Sequence, residues 1–119
     1  MTDWMRTHDN YFDRAGREID ESLWLALQGA PQRTFVARTE ITSATDPAIR
    51  HEVSTVWLGS NHNYGYGDPL TFETMVFGDE DEEYSQQYAT EDAARAGHAE
   101  TVTIVAATVT DALLRDHAT

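Results

Sequence analysis

The sequence predicts an α+β domain, a three- to four-stranded, mainly antiparallel sheet packed against a long C-terminal helix, with a short helix near the N-terminus. Three observations carry this expectation. Short runs of β-branched and aromatic residues, bounded by turn residues, fill the middle of the chain. An alanine-rich stretch with inward candidates three or four residues apart fills the C-terminal part. At 119 residues the chain suits one domain with a modest core, so residues 1–119 are read as a single domain in which 1–10 form a loose arm pinned by Trp4.

The elements follow in order. Tyr11 to Ile19 places a glycine-containing turn between two short apolar ends and predicts a small hairpin or tight loop. Asp20 is a candidate N-cap with Glu21 in the first turn. Leu23, Trp24 and Leu27 recur at helical spacing until Gly29-Ala30-Pro31, predicting a helix over 21–28. Arg33 to Thr42 and His51 to Leu58 predict strands, the second central because both of its faces carry apolar residues. Leu70 to Phe77 predicts a third strand, with Leu70, Phe72, Thr74 and Val76 on one side. A shorter strand over 84–88 follows, with 79–83 as the connecting loop. Thr90 then caps a long helix whose stripe is Ala94, His98, Val102, Val105, Val109 and Leu113. Thr101 to Val105 is β-branched enough to read as a strand, but flanking alanines and the lack of a turn residue favour helix.

Charge limits the function classes. The chain holds 21 acidic and 8 basic residues, a net charge of −13, and every basic residue is an arginine: Arg6, Arg14, Arg17, Arg33, Arg38, Arg50, Arg95 and Arg115. The lack of lysine reflects a GC-rich genome or a high-salt cytoplasm. Such a surface repels phosphate backbones, so direct nucleic-acid binding is excluded and a partner with a basic surface is favoured. Without cysteine there is no disulfide, thiolate zinc site or cysteine nucleophile. No secretory signal and no run long enough to span a membrane is visible, which predicts a soluble intracellular protein.

Two segments are candidate sites. Gly59 to Pro69 is too long for a tight hairpin and brings Asn61, His62, Asn63, Tyr64, Tyr66 and Asp68 into one loop. His62 with Asp68, and with His51 or Glu73, offers imidazole and carboxylate groups for metal binding or proton transfer. No ligand pair sits at metal-binding spacing on one element, however, so no metal or cofactor is expected, and the favoured reading is that His62 and the asparagines bond loop backbone while the tyrosines pack over the sheet edge. Asp79-Glu80-Asp81-Glu82-Glu83 is the second segment. These five carboxylates suit docking on an arginine cluster or imitation of a nucleic-acid backbone, against the plainer reading of a solvated hairpin tip. Trp4, Trp24 and Trp57 read as packing residues, and Ser54, Ser60 and Ser85 lack the surroundings of a hydrolase nucleophile.

The blocks Val53-Ser54-Thr55-Val56-Trp57-Leu58-Gly59, His62-Asn63, Gly67-Asp68-Pro69-Leu70 and Phe72-Glu73-Thr74-Met75-Val76-Phe77-Gly78 stand in sequence, followed by Tyr88-Ala89-Thr90 and Gly97-His98. Together they resemble a family of small, uncharacterised proteins of actinobacterial phages and prophages. The resemblance covers residues 51–100, with an echo at Tyr11 to Ile19. It implies a viral accessory protein of the host cytoplasm, or a virion component, and favours a GC-rich host. Three expectations follow. The first is a non-enzymatic protein that binds a host or phage protein, in its sharper form an acidic inhibitor of a host defence protein. The second is a minor virion component, and the third a small metal-dependent enzyme using the 61–68 loop.

Overall fold

Strand pairing organises the chain. The computed structural model describes residues 11–61, 67–78 and 85–117. Strands β1 (Tyr11–Phe12) and β2 (Glu18–Ile19) form a two-stranded ribbon, followed by helices α1 (Glu21–Gln28) and α2 (Pro31–Thr34). Then come β3 (Phe35–Ser43), β4 (Arg50–Trp57), β5 (Phe72–Phe77), β6 (Ser85–Tyr88), helix α3 (Glu91–Ala106) and β7 (Ala112–His117). The last five strands make one antiparallel sheet in the order β6-β5-β4-β3-β7, with α3 packed against β3, β4 and β5. No helix among the described residues is long and apolar enough to cross a membrane.

Two expectations need correction. The sheet has five strands, and the helix capped by Thr90 ends at Ala106 instead of running on to Leu113. Thr108 N–H and Val109 N–H turn back to the carbonyls of Val105 and Ala106, and Asp111 takes φ 52°. A chain that has left the helix this way lays Ala112–His117 along β3 in six consecutive pairs. The local preference of Ala-Leu-Leu-Arg for helix yields to that ladder and to the β-branched, turn-forming Thr108-Val109-Thr110-Asp111 before it. A further, smaller difference is α2, which restarts the helical path with Pro31 at its first turn.

The helix caps are as expected. Asp20 accepts a hydrogen bond from Leu23 N–H at 2.8 Å, and Thr90 Oγ1 accepts from Ala93 N–H at 3.1 Å. Glu91, in the first turn of α3, has a further role. Arg14 grips both of its oxygens at 2.9 and 2.8 Å and also donates to the carbonyls of Arg33 and Phe35. That contact fastens the β1–β2 ribbon to the start of the helix and to the start of β3. The Arg14 hydrogen bonds hold the Glu91 carboxyl below the usual carboxylate range. The ribbon is also stitched to the end of β4, through Phe12 N–H to Gly59 O and Trp57 Nε1 to the Phe12 carbonyl. On the same side, Trp24 Nε1 and Gln28 Nε2 both donate to the Leu58 carbonyl.

The core lies between α3 and the sheet in two separate clusters. One holds Val36, Trp57, Phe72, Tyr88 and Ala94, with Trp24 and Leu27 against it. The other holds Ile41, Val53, Val76 and Val109, with Val102 and Val105 against it. Glycine is required at two places. Gly59 has φ 78°, and a Cβ there would lie 2.6 Å from both Trp24 and Trp57. At Gly97 a Cβ would drive into the Tyr88 ring, so the missing side chain is what lets that ring lie on the helix.

These contacts predict a graded response to alanine. Gly59→Ala combines a left-handed backbone with overpacking and is expected to cost about 3 kcal/mol or more. Gly16→Ala, with φ 90° but nothing within 4 Å of the added carbon, is expected to cost about 1 kcal/mol. Urea denaturation of the two variants checks the difference, and equal costs would refute the role given to the two indoles.

Candidate functional site

Between the two apolar clusters runs a line of polar side chains. Strands β3, β4 and β5 each turn one threonine towards α3, namely Thr39, Thr55 and Thr74, and the helix turns His98 down between them. In every element the polar residue falls between a residue of one cluster and a residue of the other: Val36, Thr39, Ile41; Trp57, Thr55, Val53; Phe72, Thr74, Val76. All three threonines and the histidine are buried. Such groups are stable inside a core only when their hydrogen bonds are made there.

The bonds form one continuous chain. Thr74 Oγ1 and Thr55 Oγ1 lie 2.6 Å apart, and Thr55 Oγ1 is 2.7 Å from His98 Nδ1. On the other side of the ring, Nε2 is 2.9 Å from Thr39 Oγ1, which donates to Asp116 Oδ1 at 2.6 Å. The direction of every bond follows from the proton count. A hydroxyl has one proton, and Thr39 gives its own to the Asp116 carboxylate, so it must accept from Nε2–H. A neutral imidazole with its proton on Nε2 accepts at Nδ1, so Thr55 donates there and in turn accepts from Thr74. The carboxylate on β7 therefore sets the tautomer of a histidine on α3 and the orientation of hydroxyls on three other strands.

A cleft of about 290 Å³ opens at the β3–β7 end of this line, lined by Val36, Thr39, Arg95, His98, Asp116 and His117 among others. Burial pushes the His98 pKa down; Asp116 acts in the opposite direction, and Arg95 adds to the lowering. The ring is thus neutral near pH 7. Both its nitrogens are engaged by threonine, so the arrangement is a lock between helix and sheet that also links Asp116 to Thr74 through exchangeable protons.

The sequence-derived candidates are placed as follows. His62, Asn63, Tyr64 and Tyr66 lie outside the described residues, as do Asp79, Glu80, Asp81, Glu82 and Glu83. Asn61 Oδ1 accepts from Leu70 N–H at 3.2 Å, a packing role within the β4–β5 connection, and Asp68 is exposed. His51 and Glu73 do not come together. His51 opposes Ile41 on the helix side of the sheet, whereas Glu73 opposes Val56 on the other side and accepts from Ser85 Oγ at 2.7 Å. Among the described residues no three histidine or carboxylate groups are clustered so that they could hold a metal ion. Sequence reading put His98 on the inward stripe but took that stripe for apolar packing. The available signal was a threonine at the inward position of each of three neighbouring strands.

The direction of the chain predicts unequal losses. Thr55→Val leaves Nδ1 without its donor and Thr74 without its acceptor, and is expected to cost about 1–3 kcal/mol. Thr74→Val removes only the last donor and is expected to cost less. Acid should loosen the same contact. The folded His98 pKa lies below its unfolded value of 6.5, so the unfolded state binds more protons once pH falls towards that value. Stability should therefore decline below about pH 6.5, with a slope of at most about 1.4 kcal/mol per pH unit, until the folded pKa is reached. Urea titrations between pH 8 and 5 check this, and a His98→Gln variant with an undiminished slope over that window would refute it.

Comparison with protein-family models, with curated proteins and with solved structures finds no match to this chain.

Proposed function

We propose that the protein is a non-enzymatic accessory protein of a phage or prophage that acts in the host cytoplasm by binding a host or phage protein with a basic surface. In its sharper form the reading is an acidic inhibitor that imitates a nucleic-acid backbone towards a host defence protein. The single observation that carries it is the net charge of −13 with five consecutive carboxylates at Asp79 to Glu83.

The distribution of arginines supports the same reading. Arg14, Arg17, Arg38, Arg50 and Arg95 are each paired with a carboxylate of the chain itself. Cations engaged in this way do little to offset the remaining acidic groups, so the field reaching a partner is negative and attracts basic surfaces. The acidic run also follows β5 and precedes β6, two strands that pair antiparallel at one edge of the sheet. The source rests on the resemblance of residues 51–100 to actinobacterial phage proteins.

Capture from an actinobacterial host lysate is the test. At low salt the protein should retain a basic protein, and binding should weaken steeply as added salt shortens the screening length. Replacing Asp79 to Glu83 by the matching amides should weaken binding at least tenfold while leaving circular dichroism unchanged. Retention that is indifferent to both salt and the amide substitutions would rule the proposal out.

A further inference from the structure

The strand that sequence reading did not anticipate is also the most open edge of the sheet. β7 pairs with β3 on one side, and among the described residues nothing pairs with its other side. An outer edge carries a row of N–H and C=O groups ready to accept another strand, and proteins commonly blunt such edges with lysine, proline or a bulge. Ala112–His117 contains neither lysine nor proline and its pairing with β3 is regular throughout; its charges lie towards the far end, where Asp116 is turned to the helix side and engaged by Thr39, which leaves the Ala112–Leu114 half of the edge uncharged. The opposite edge differs, since β6 is only four residues long and reads Ser-Gln-Gln-Tyr.

Leu113 and Leu114 are 54% and 56% exposed. They are neighbours on a strand, so they point to opposite faces of the sheet: Leu114 opposes buried Ile41 on the helix side, and Leu113 opposes Thr42 on the other. A partner docking on one face would cover one leucine. A strand added alongside covers both.

We propose that β7 is a self-association edge, and that two copies join antiparallel about a twofold axis through Leu113, so that two five-stranded sheets continue as one. The charges select the second copy as the occupant and fix the register. An axis perpendicular to the sheet keeps the two helices on the same side, which confines it to a strand residue. Placed at Arg115, it would set two guanidinium groups against each other. Placed at Leu114, it would oppose Leu113 to Arg115 and Ala112 to Asp116. At Leu113, it pairs Leu113 with its own copy, Ala112 with Leu114 and Asp111 with Arg115. Of the three, this register alone opposes apolar to apolar at both Leu113 and Ala112–Leu114 and brings the acid Asp111, the residue just before β7, opposite the base Arg115. Asp111 and Arg115 are both exposed, and neither makes an ion pair among the described residues.

Because the chain has no cysteine, a single introduced thiol reports the register. Directly opposed strand residues have Cα atoms about 4.5–5.5 Å apart, within disulfide reach. Under mild oxidation Leu113→Cys should therefore form a covalent dimer, and Leu114→Cys, facing Ala112, should not. Sedimentation of the unmodified protein should show a reversible dimer that tightens with added salt, as the repulsion between two chains of −13 is screened. Leu113→Lys should weaken it at least tenfold with no change in circular dichroism. A protein that stays monomeric at several hundred micromolar and high salt would overturn the proposal. So would cross-linking through Cys at 114 in preference to 113, or a dimer untouched by Leu113→Lys. Binding of a basic partner responds to salt in the opposite sense, so either reading can fail without the other.

Discussion

The imidazole of His98 is the contact on which the packing of this domain turns. A helix laid across a sheet is ordinarily held by apolar side chains that tolerate small slips in position. Here the two layers are also joined by short hydrogen bonds from one ring to Thr55 and Thr39, with Thr74 and Asp116 completing the line. Hydrogen bonds of this length tolerate little displacement, so α3 has one position along the strands and one rotation about its axis. The buried polar groups add little net stability, since each bond replaces one with water. What they add is uniqueness, because any other docking of the helix would strand a hydroxyl or a ring nitrogen inside the core.

The periphery is fixed around that contact by residues that each join several elements. Arg14 ties the β1–β2 ribbon to Glu91 and to the entry of β3. Gly59 lets the Trp24 and Trp57 indoles close over the end of β4. Gly97 lets Tyr88 lie against the helix one residue before His98 enters the sheet. Adjacent positions in Gly97-His98 thus serve one purpose from two directions: the first allows close approach, and the second fixes what is approached.

Much of the architecture was legible because local and tertiary forces agree there. Asp20 and Thr90 announced the two longer helices through their capping chemistry, and alternation along residues 72–77 announced which side of β5 is buried. Legibility failed where they disagree. Ala112 to Arg115 favours helix locally, yet the edge of β3 offers six pairs to a strand and prevails. The polar line was missed for a related reason. Threonine suits a strand whether it faces water or the core, so its position alone does not reveal a hydrogen-bond partner 43 or 59 residues away. The acidic run and residues 62–66 lie outside the described residues, so what is expected of them is carried by charge and composition alone.

The polar line also partitions the core. The two apolar clusters have no member in common, so a change of volume in one is separated from the other by a layer of committed hydrogen bonds. Substitutions in different halves should combine as independent sites do, while those along the line should be strongly coupled. Sequence drift in such a domain would then follow separate courses on the two sides. One half can be repacked while the other stays unchanged, provided the threonines, the histidine and the aspartate between them are kept together as a set.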